Sequence, residues 1–462
     1  MNAHVFREYD IRGLVETDLT PEFAYDLGRG LAAYLKEKTG GKGNRLAFGR
    51  DVRLSSVRLR ERFIAGVTDS GVDVWDIGVV PTPLTYFAAQ TLPVDGLCMI
   101  TGSHNPPEYN GFKVGLGRTT LHGHEIQELR ALIEAGRFVS QPGPGAAKGA
   151  VIPFDIVTPY LHFVTQTLKL GPRKLKVVID GGNGCGGAIA VPLFEKLGAE
   201  IVPLFIEGDG NFPNHHPDPT VPKNLGALIA KVKETKADLG IAYDGDADRV
   251  GAIDEQGNIL WGDQLMILFS RDILRDKPGA AIVSEVKCSM SLYEDIAKKG
   301  GRGIMWKAGH SLIKAKMKEE NAELAGEMSG HIFFKHRYFG FDDGVYSSAR
   351  LYELLTRTDK PLSALLADVP VTYASPEIRF DFPEEKKFEA VRRATANLRK
   401  TYDVVDVDGV RVTFPDGWGL IRASNTQPIL VLRFEATTEQ RLAEIQALIE
   451  GEVLRVKKEL GA

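Results

Sequence analysis

Leu239-Gly-Ile-Ala-Tyr-Asp-Gly-Asp-Ala-Asp-Arg249 sets a short apolar run directly before three alternating carboxylates. The apolar half, with Asp238 leading in, reads as a buried strand, and the acidic half as the loop at its carboxyl end. Open α/β sheets hold their ligands at that end. Aspartates this close repel one another unless they are solvated or bound to a cation, and an all-oxygen donor set favours a hard ion such as Mg²⁺ over zinc or copper. An EF-hand is a rival reading, because Asp244, Asp246, Asp248 and Glu255 fall at positions 1, 3, 5 and 12 of such a loop. It fails at position 6, which needs Gly for its sharp turn and holds Arg249, and it needs a helix where this loop follows a strand.

Outward from this loop, strands and helices alternate from Arg45 to about Phe339. Arg45-Leu-Ala-Phe-Gly-Arg50 leads into a helical Ser55 to Gly71, Lys174 to Asp180 into Ala188 to Gly198, and Ala280 to Val286 reads as a further strand. Such alternation predicts α/β layers. After Ala367 the pattern changes: Ile378, Phe380 and Phe382 alternate, Glu384 to Lys400 reads as a helix, and four β-like runs precede a last helix from about Glu439 to Lys458. That order predicts α+β. The turn formers of Gln141-Pro-Gly-Pro-Gly-Ala-Ala-Lys-Gly149 mark a linker, whereas Asp254-Glu-Gln-Gly-Asn258 is a weaker break that could equally be a hairpin. The 462 residues suggest roughly three domains at about 150 each.

Charge and composition narrow the function classes. The 57 basic and 61 acidic residues leave a net charge of −4 with no long basic block, so nucleic acid is not an expected partner. Arg7, Glu8, Asp10 and Arg12 stand where a signal peptide would be apolar, and no apolar run reaches about 18 residues, which predicts a soluble protein without a membrane partner. Cys98, Cys185 and Cys288 are too widely spaced for a clustered zinc site and odd in number for a disulfide framework, so a reducing cytoplasm is expected.

Three more loops carry chemistry. Thr101-Gly-Ser-His-Asn-Pro-Pro107 follows the apolar Leu97-Cys-Met-Ile100 and would hold a serine hydroxyl on irregular backbone, with Lys113 a nearby cation. No Gly-x-Ser-x-Gly elbow is present, which disfavours a hydrolase triad. Arg422-Ala-Ser-Asn-Thr-Gln-Pro428 offers a guanidinium, two hydroxyls, an amide and successive backbone N–H groups, a set suited to a phosphate monoester. Gly326-Glu-Met-Ser-Gly-His331 supplies a carboxylate, a hydroxyl and an imidazole for sugar hydroxyls.

A rival of another class is an NAD-dependent oxidoreductase. Gly182-Asn-Gly-Cys-Gly-Gly187 follows a strand and matches the dinucleotide fingerprint, with Glu207 some way beyond. Nothing else suggests hydride chemistry, and these glycines read instead as permitting tight strand-to-helix packing. His215-His-Pro-Asp218 reads as a rigid turn rather than a metal site.

The ordered set Tyr9-Asp-Ile-Arg-Gly13, Thr101-Gly-Ser-His-Asn-Pro106, Asn110-Gly-Phe-Lys113, Phe212-Pro-Asn-His-His-Pro217, the aspartate loop, Gly326 to His331 and Arg422 to Thr426 resembles the α-D-phosphohexomutases, most closely their bacterial phosphomannomutase/phosphoglucomutase branch. The resemblance spans nearly the whole chain. It implies three similar mixed α/β domains and a smaller α+β C-terminal domain around a central cleft, with boundaries at 1–148, 150–254, 255–367 and 368–462.

The same resemblance implies a phosphoserine at Ser103, Mg²⁺ held by Asp244, Asp246, Asp248 and the Ser103 phosphate, and phosphate recognition by Arg422, Ser424, Asn425 and Thr426. Glu327, Ser329 and His331 would meet sugar hydroxyls, and Tyr9, Lys287 and His310 the substrate; the charge of a phosphoserine beside three aspartates calls for nearby cations, and Arg12, Lys113, Arg249 and Lys287 lie in or beside these loops to neutralise the transferring phosphoryl group. Ala308 departs from the family pattern, which has Thr before the Gly309-His310 pair, and Met328 resembles the mannose/glucose branch rather than the glucosamine-phosphate mutases, which typically have Gln. The implied reaction interconverts hexose 1- and 6-phosphates through a 1,6-bisphosphate, with glucose 1,6-bisphosphate as activator and a monomer as the working form. Lys113, His310 and Arg12 are the candidates for the proton on the attacking hydroxyl, with Lys113 ranked first.

Overall fold

The computed structural model describes residues 2–139, 148–424 and 427–462. The linker residues 141–147 and the loop residues Asn425 and Thr426 therefore lie outside the described residues.

Gly96–Ile100 is buried at every position. A run so apolar, without alternation, belongs to a strand covered on both faces. It sits in a sheet of order Ile11–Leu14, Tyr109–Leu116, Gly96–Ile100, Arg45–Arg50, Asp73–Val79 and Val151–Pro153, with Thr119–Thr120 beside Tyr109–Leu116. Arg45–Arg50 runs parallel to both its neighbours, whereas Tyr109–Leu116 is antiparallel to its own. Helices Pro21–Lys38, Leu54–Asp69 and His124–Glu134 add Leu27, Leu59, Phe63 and Leu129 to a core shared with Phe48 and Phe112. Phe63 lies 5.7 Å from Phe48 and 5.6 Å from Phe112, ring centre to ring centre.

A second sheet has the order Ile259–Leu260, Val250–Asp254, Leu239–Tyr243, Lys176–Asp180 and Glu200–Leu204, the last three parallel. Leu239–Tyr243 is again buried throughout, as the opening stretch of sequence predicts, and the aspartates follow its carboxyl end. Both sheets belong to one compact unit, Met1–Gly262 with Ser329–Ala364.

The other unit, Asp263–Met328 with Leu365–Ala462, holds two further groups of strands. Ala281–Glu285 lies between Arg302–Trp306 and Leu324–Gly326, all parallel. The C-terminal sheet is antiparallel, in the order Tyr373–Ala374, Ile429–Ala436, Gly417–Ala423, Val410–Phe414 and Asp403–Val405, with Ile378–Asp381 also paired to Ile429–Ala436. Helices Lys387–Leu398 and Glu439–Leu460 cover it through Ala390, Ala394, Ile445, Ile449 and Val453. The change of class after Ala367 thus corresponds to a change from parallel to antiparallel pairing.

Strand pairing runs through two of the places where turn composition suggests a break. Val151–Pro153 pairs with Asp73–Val79, so the first sheet continues beyond residue 148. The turn at Asp254 to Asn258 is a hairpin, because Ile259–Leu260 returns along Val250–Asp254, and the second sheet runs to Leu260. Turn composition marks both places, but edge pairing decides to which sheet the next strand belongs. Among the described residues no helix is long and apolar enough to cross a membrane. All three cysteines are buried and unbridged.

Candidate active site

Ser103 occupies the loop that leaves the carboxyl end of Gly96–Ile100, and it is 3% exposed. Its backbone is left-handed, with φ at +49°. That conformation costs a non-glycine residue about 1–2 kcal/mol and must be held by its surroundings. Part of the hold is local, since Thr101 Oγ1 accepts the Ser103 N–H at 2.8 Å. The turn aims the hydroxyl at the second sheet, where Ser103 Oγ donates to Asp244 Oδ2 at 2.9 Å. His104 Nδ1 lies 3.0 Å from the same oxygen. Burial, with Arg249 and Arg12 near it, holds the His104 imidazole well below its ordinary pKa, hence neutral.

The three aspartates are buried, and each can bring one oxygen within 4.8 Å of the others. Burial first, then the charges of Asp248 and Asp246, push the Asp244 carboxyl well above the usual range. Asp248 goes the other way: burial opposes its charge, but Lys113, His331 and Arg249 outweigh it and hold the carboxyl low. Lys113 Nζ donates to Asp246 Oδ2 at 3.0 Å and Asp248 Oδ2 at 2.5 Å. Burial disfavours the Lys113 charge, yet these two carboxylates raise its pKa well above the ordinary lysine value. A lysine so placed suits a fixed cation better than a proton acceptor.

The site has the chemistry a hard divalent ion needs. The donors are all oxygen, Ser103 Oγ adjoins them, and Asp246 Oδ1 is buried without a hydrogen-bond partner among the described residues.

Around this cluster Arg249 N donates to Asp244 Oδ1 at 3.2 Å. Arg249 Nε donates to His331 Nε2 at 3.2 Å, while the same ring nitrogen lies 3.2 Å from Asp248 Oδ1. His331 Nδ1 is 3.1 Å from Ser329 Oγ. Arg12 donates to Asn105 Oδ1 at 3.1 Å and pairs with Asp10, which places it on the Ser103 loop. Tyr9 is half-buried at the bend before Ile11–Leu14.

The glycine fingerprint is filled by protein. A Cβ on Gly184 would come within 2.5 Å of Gly245 O, and one on Gly187 within 2.7 Å of Ile206 Cα. Close packing, of Gly184 against the aspartate loop and of Gly187 against Ile206, therefore accounts for these two glycines. His215 Nε2 lies 3.0 Å from buried Asp180 and stabilises the neighbouring turn.

The remaining expected residues that are described lie in the other unit. Glu327 Oε1 accepts Gly309 N–H at 2.6 Å, so the sugar loop and the Gly309-His310 turn are fastened together. Lys287 Nζ lies 3.3 Å from Glu377 and 3.5 Å from Glu285. Burial opposes the Lys287 charge, but those carboxylates raise its pKa. Arg422 Nε donates to Asp408 Oδ2 at 3.0 Å, and Ser424 Oγ accepts Gln427 N–H at 3.2 Å.

Sequence reasoning missed four residues that organise these clusters. Thr82 Oγ1 donates to Asp246 Oδ2 at 2.5 Å. Asp51 and Arg53 lie beneath the Ser103 loop, and Asp408 accepts from both Arg422 and Ala308 N. Asp51 and Arg53 had a usable signal: they directly follow Arg45–Arg50, a parallel strand, at the end where ligands bind.

Four sequence families match in order. Residues 3–140, 158–257 and 261–373 match Phosphoglucomutase/phosphomannomutase alpha/beta/alpha domains I, II and III, and residues 377–452 match the Phosphoglucomutase/phosphomannomutase C-terminal domain. Among relatives, Phosphomannomutase/phosphoglucomutase of Pseudomonas putida is 47% identical over 463 residues, covering 99% of this chain and 96% of its own. Phosphoglucomutase of Neisseria gonorrhoeae is 47% identical over 445 residues, covering 96% and 95%. The crystal structure of a phosphoglucomutase/phosphomannomutase family protein from Burkholderia thailandensis matches with a TM-score of 0.92 at 42% identity, covering 99% of this chain and 98% of that one.

Proposed function

Because this chain belongs to the phosphoglucomutase/phosphomannomutase family, we propose that it is an isomerase interconverting hexose 1-phosphate and hexose 6-phosphate, of mannose or glucose, through a phosphoserine at Ser103. The observation that carries this reading is the Ser103 hydroxyl hydrogen-bonded to one of three clustered, buried aspartates.

Phospho-Ser103 gives its phosphoryl group to the free hydroxyl of the bound sugar phosphate. The phosphorus–Oγ bond breaks, a bond to the sugar oxygen forms, and the 1,6-bisphosphate results. After the bisphosphate turns over, Ser103 Oγ takes the other phosphoryl group and the isomer leaves. Glucose 1,6-bisphosphate supplies the first phosphoryl group to unmodified enzyme, as an activator would. A phosphoserine adds about −2 beside three carboxylates, so cations are needed on every side. Lys113, Arg249 and Arg12 supply fixed positive charge against the phosphoryl oxygens. Glu327, Ser329 and Met328's loop meet the sugar hydroxyls. Lys287, His310, Arg422, Ser424, Asn425 and Thr426 hold the phosphate that is not reacting, and Tyr9 meets the sugar.

Asp244, Asp246, Asp248 and the Ser103 phosphate would hold Mg²⁺, which would supply Lewis-acid charge stabilisation to the transferring group. Chelation with EDTA is expected to lower kcat about 10²-fold or more, with recovery on adding Mg²⁺. Independently of activity, Mg²⁺ should raise the melting temperature of the wild type more than that of Asp246→Asn, because the substitution removes one of the three carboxylates that would hold the ion.

The proton of the attacking hydroxyl goes to His331. Its Nε2 lies between a donor, Arg249 Nε, and an acceptor, Asp248 Oδ1, each at 3.2 Å. Deprotonated, the nitrogen accepts from Arg249; protonated, its charge is balanced by Asp248, whose Oδ1 lies 3.2 Å away. A group satisfied in both states can take a proton in one transfer and return it in the other.

The decisive experiment pairs peptide mass spectrometry of the purified protein with mutase assays on glucose 1-phosphate and mannose 1-phosphate. Phosphate on Ser103 in part of the population and turnover of at least one substrate are expected. Absence of turnover with both sugars, in the presence of Mg²⁺ and glucose 1,6-bisphosphate, overturns the reading.

A further inference from the structure

Arg53 follows the strand Arg45–Arg50 and caps the start of helix Leu54–Asp69, yet its side chain is only 1% exposed. The guanidinium turns inward beneath the serine loop. Nη2 donates to Ser103 O at 2.8 Å and Asn105 O at 2.5 Å, and Nη1 donates to Pro106 O at 2.7 Å and Tyr109 O at 3.0 Å. Nε donates to Asp51 Oδ2 at 3.1 Å. Asp51 in turn accepts Gly102 N–H at 3.2 Å and Ser56 Oγ–H at 2.6 Å, so the carboxylate holds both the arginine and the loop.

Packing is equally close. A Cβ on Gly102 would lie 2.5 Å from Arg53 Cζ and Nε, so only glycine lets the guanidinium approach this peptide. The ring of Phe212 lies 5.2 Å from Arg53 Cζ, within range of a cation–π contact.

We propose that Arg53 is a positioning residue for phosphoryl transfer: its guanidinium gathers the carbonyls of the 103–109 loop and fixes Ser103 in the left-handed conformation from which Oγ reaches Asp244. Carbonyls turned into the protein at an irregular loop need donors, and four of them here find one side chain. Arginine presents five N–H groups in a rigid plane, whereas lysine offers three on a flexible stem, so the charge alone does not reproduce the clamp. Arg53 acts only through the backbone of Ser103 and touches neither phosphate nor sugar. The inference rests on Ser103 being the phosphoryl carrier.

The test measures Arg53→Lys and Gly102→Ala beside the wild type and Ser103→Ala. Readouts are kcat and KM for glucose 1-phosphate, single-turnover transfer from glucose 1,6-bisphosphate to dephosphorylated enzyme, and folding by circular dichroism and melting temperature. Gly102→Ala keeps the arginine and displaces its guanidinium. Both variants should fold, lose about 10²-fold in kcat and in the single-turnover rate, and keep KM within about threefold. Arg53→Lys with kcat near the wild-type value overturns the proposal. So does a loss of activity that only tracks the unfolded fraction, or failure of both variants to fold, since either makes the arginine a folding residue alone. Wild-type activity surviving in Ser103→Ala would instead overturn the phosphoserine reading, a result distinguishable because it does not involve Arg53.

Discussion

Ser103→Ala is expected to lower mutase turnover by at least about 10⁴-fold, since removing a group that forms the covalent intermediate removes the reaction route and not only a contact. The substitution deletes one oxygen, which donates to Asp244 at 2.9 Å. It leaves the Arg53 bonds to the loop backbone untouched, because those go to the main-chain carbonyls. Folding should therefore persist, with the melting temperature changed by only a few degrees. Activity should stay absent when glucose 1,6-bisphosphate is added, because there is no acceptor for its phosphoryl group. Substrate binding, measured by calorimetry with glucose 1-phosphate, should survive. A coupled assay showing residual turnover within tenfold of the wild type would sink the covalent mechanism.

Much of this architecture was legible in the sequence because the functional loops follow strands with an unmistakable pattern. Leu239–Tyr243 and Gly96–Ile100 are continuous apolar runs, buried at all positions, and the aspartates and Ser103 follow them directly. The C-terminal change of class was legible for the same reason, with four strands falling between Lys387–Leu398 and Glu439–Leu460. What composition could not convey was pairing at sheet edges, which carries the first sheet on to Pro153 and the second to Leu260. The site was legible by residue type but not by neighbour. Lys113 reads as an isolated cation until the fold brings it between Asp246 and Asp248, which lie far along the chain. The place of Arg53 after a parallel strand marks it as a neighbour of the site, but its acceptors are backbone carbonyls that exist at every residue, so its role shows only in their convergence in space.

His331→Ala should lower kcat by about 10²–10⁴-fold, the range that loss of a positioned proton acceptor commands. The effect should fall on kcat more than on KM, because the imidazole is needed where the proton moves. Simple loss of a hydroxyl contact predicts the opposite, a raised KM with kcat little changed. His331→Asn sharpens the distinction: the shorter amide can still hydrogen-bond to Ser329 from the Nδ1 position but cannot take up a proton. It should therefore bind substrate and still fail in turnover. Lys113→Met would behave differently. It removes a cation that two buried carboxylates hold, so repulsion within the aspartate cluster should lower stability along with rate, whereas His331→Ala should leave the cluster's lysine pairs intact. A kcat for His331→Ala reduced less than tenfold would reassign the proton to another group.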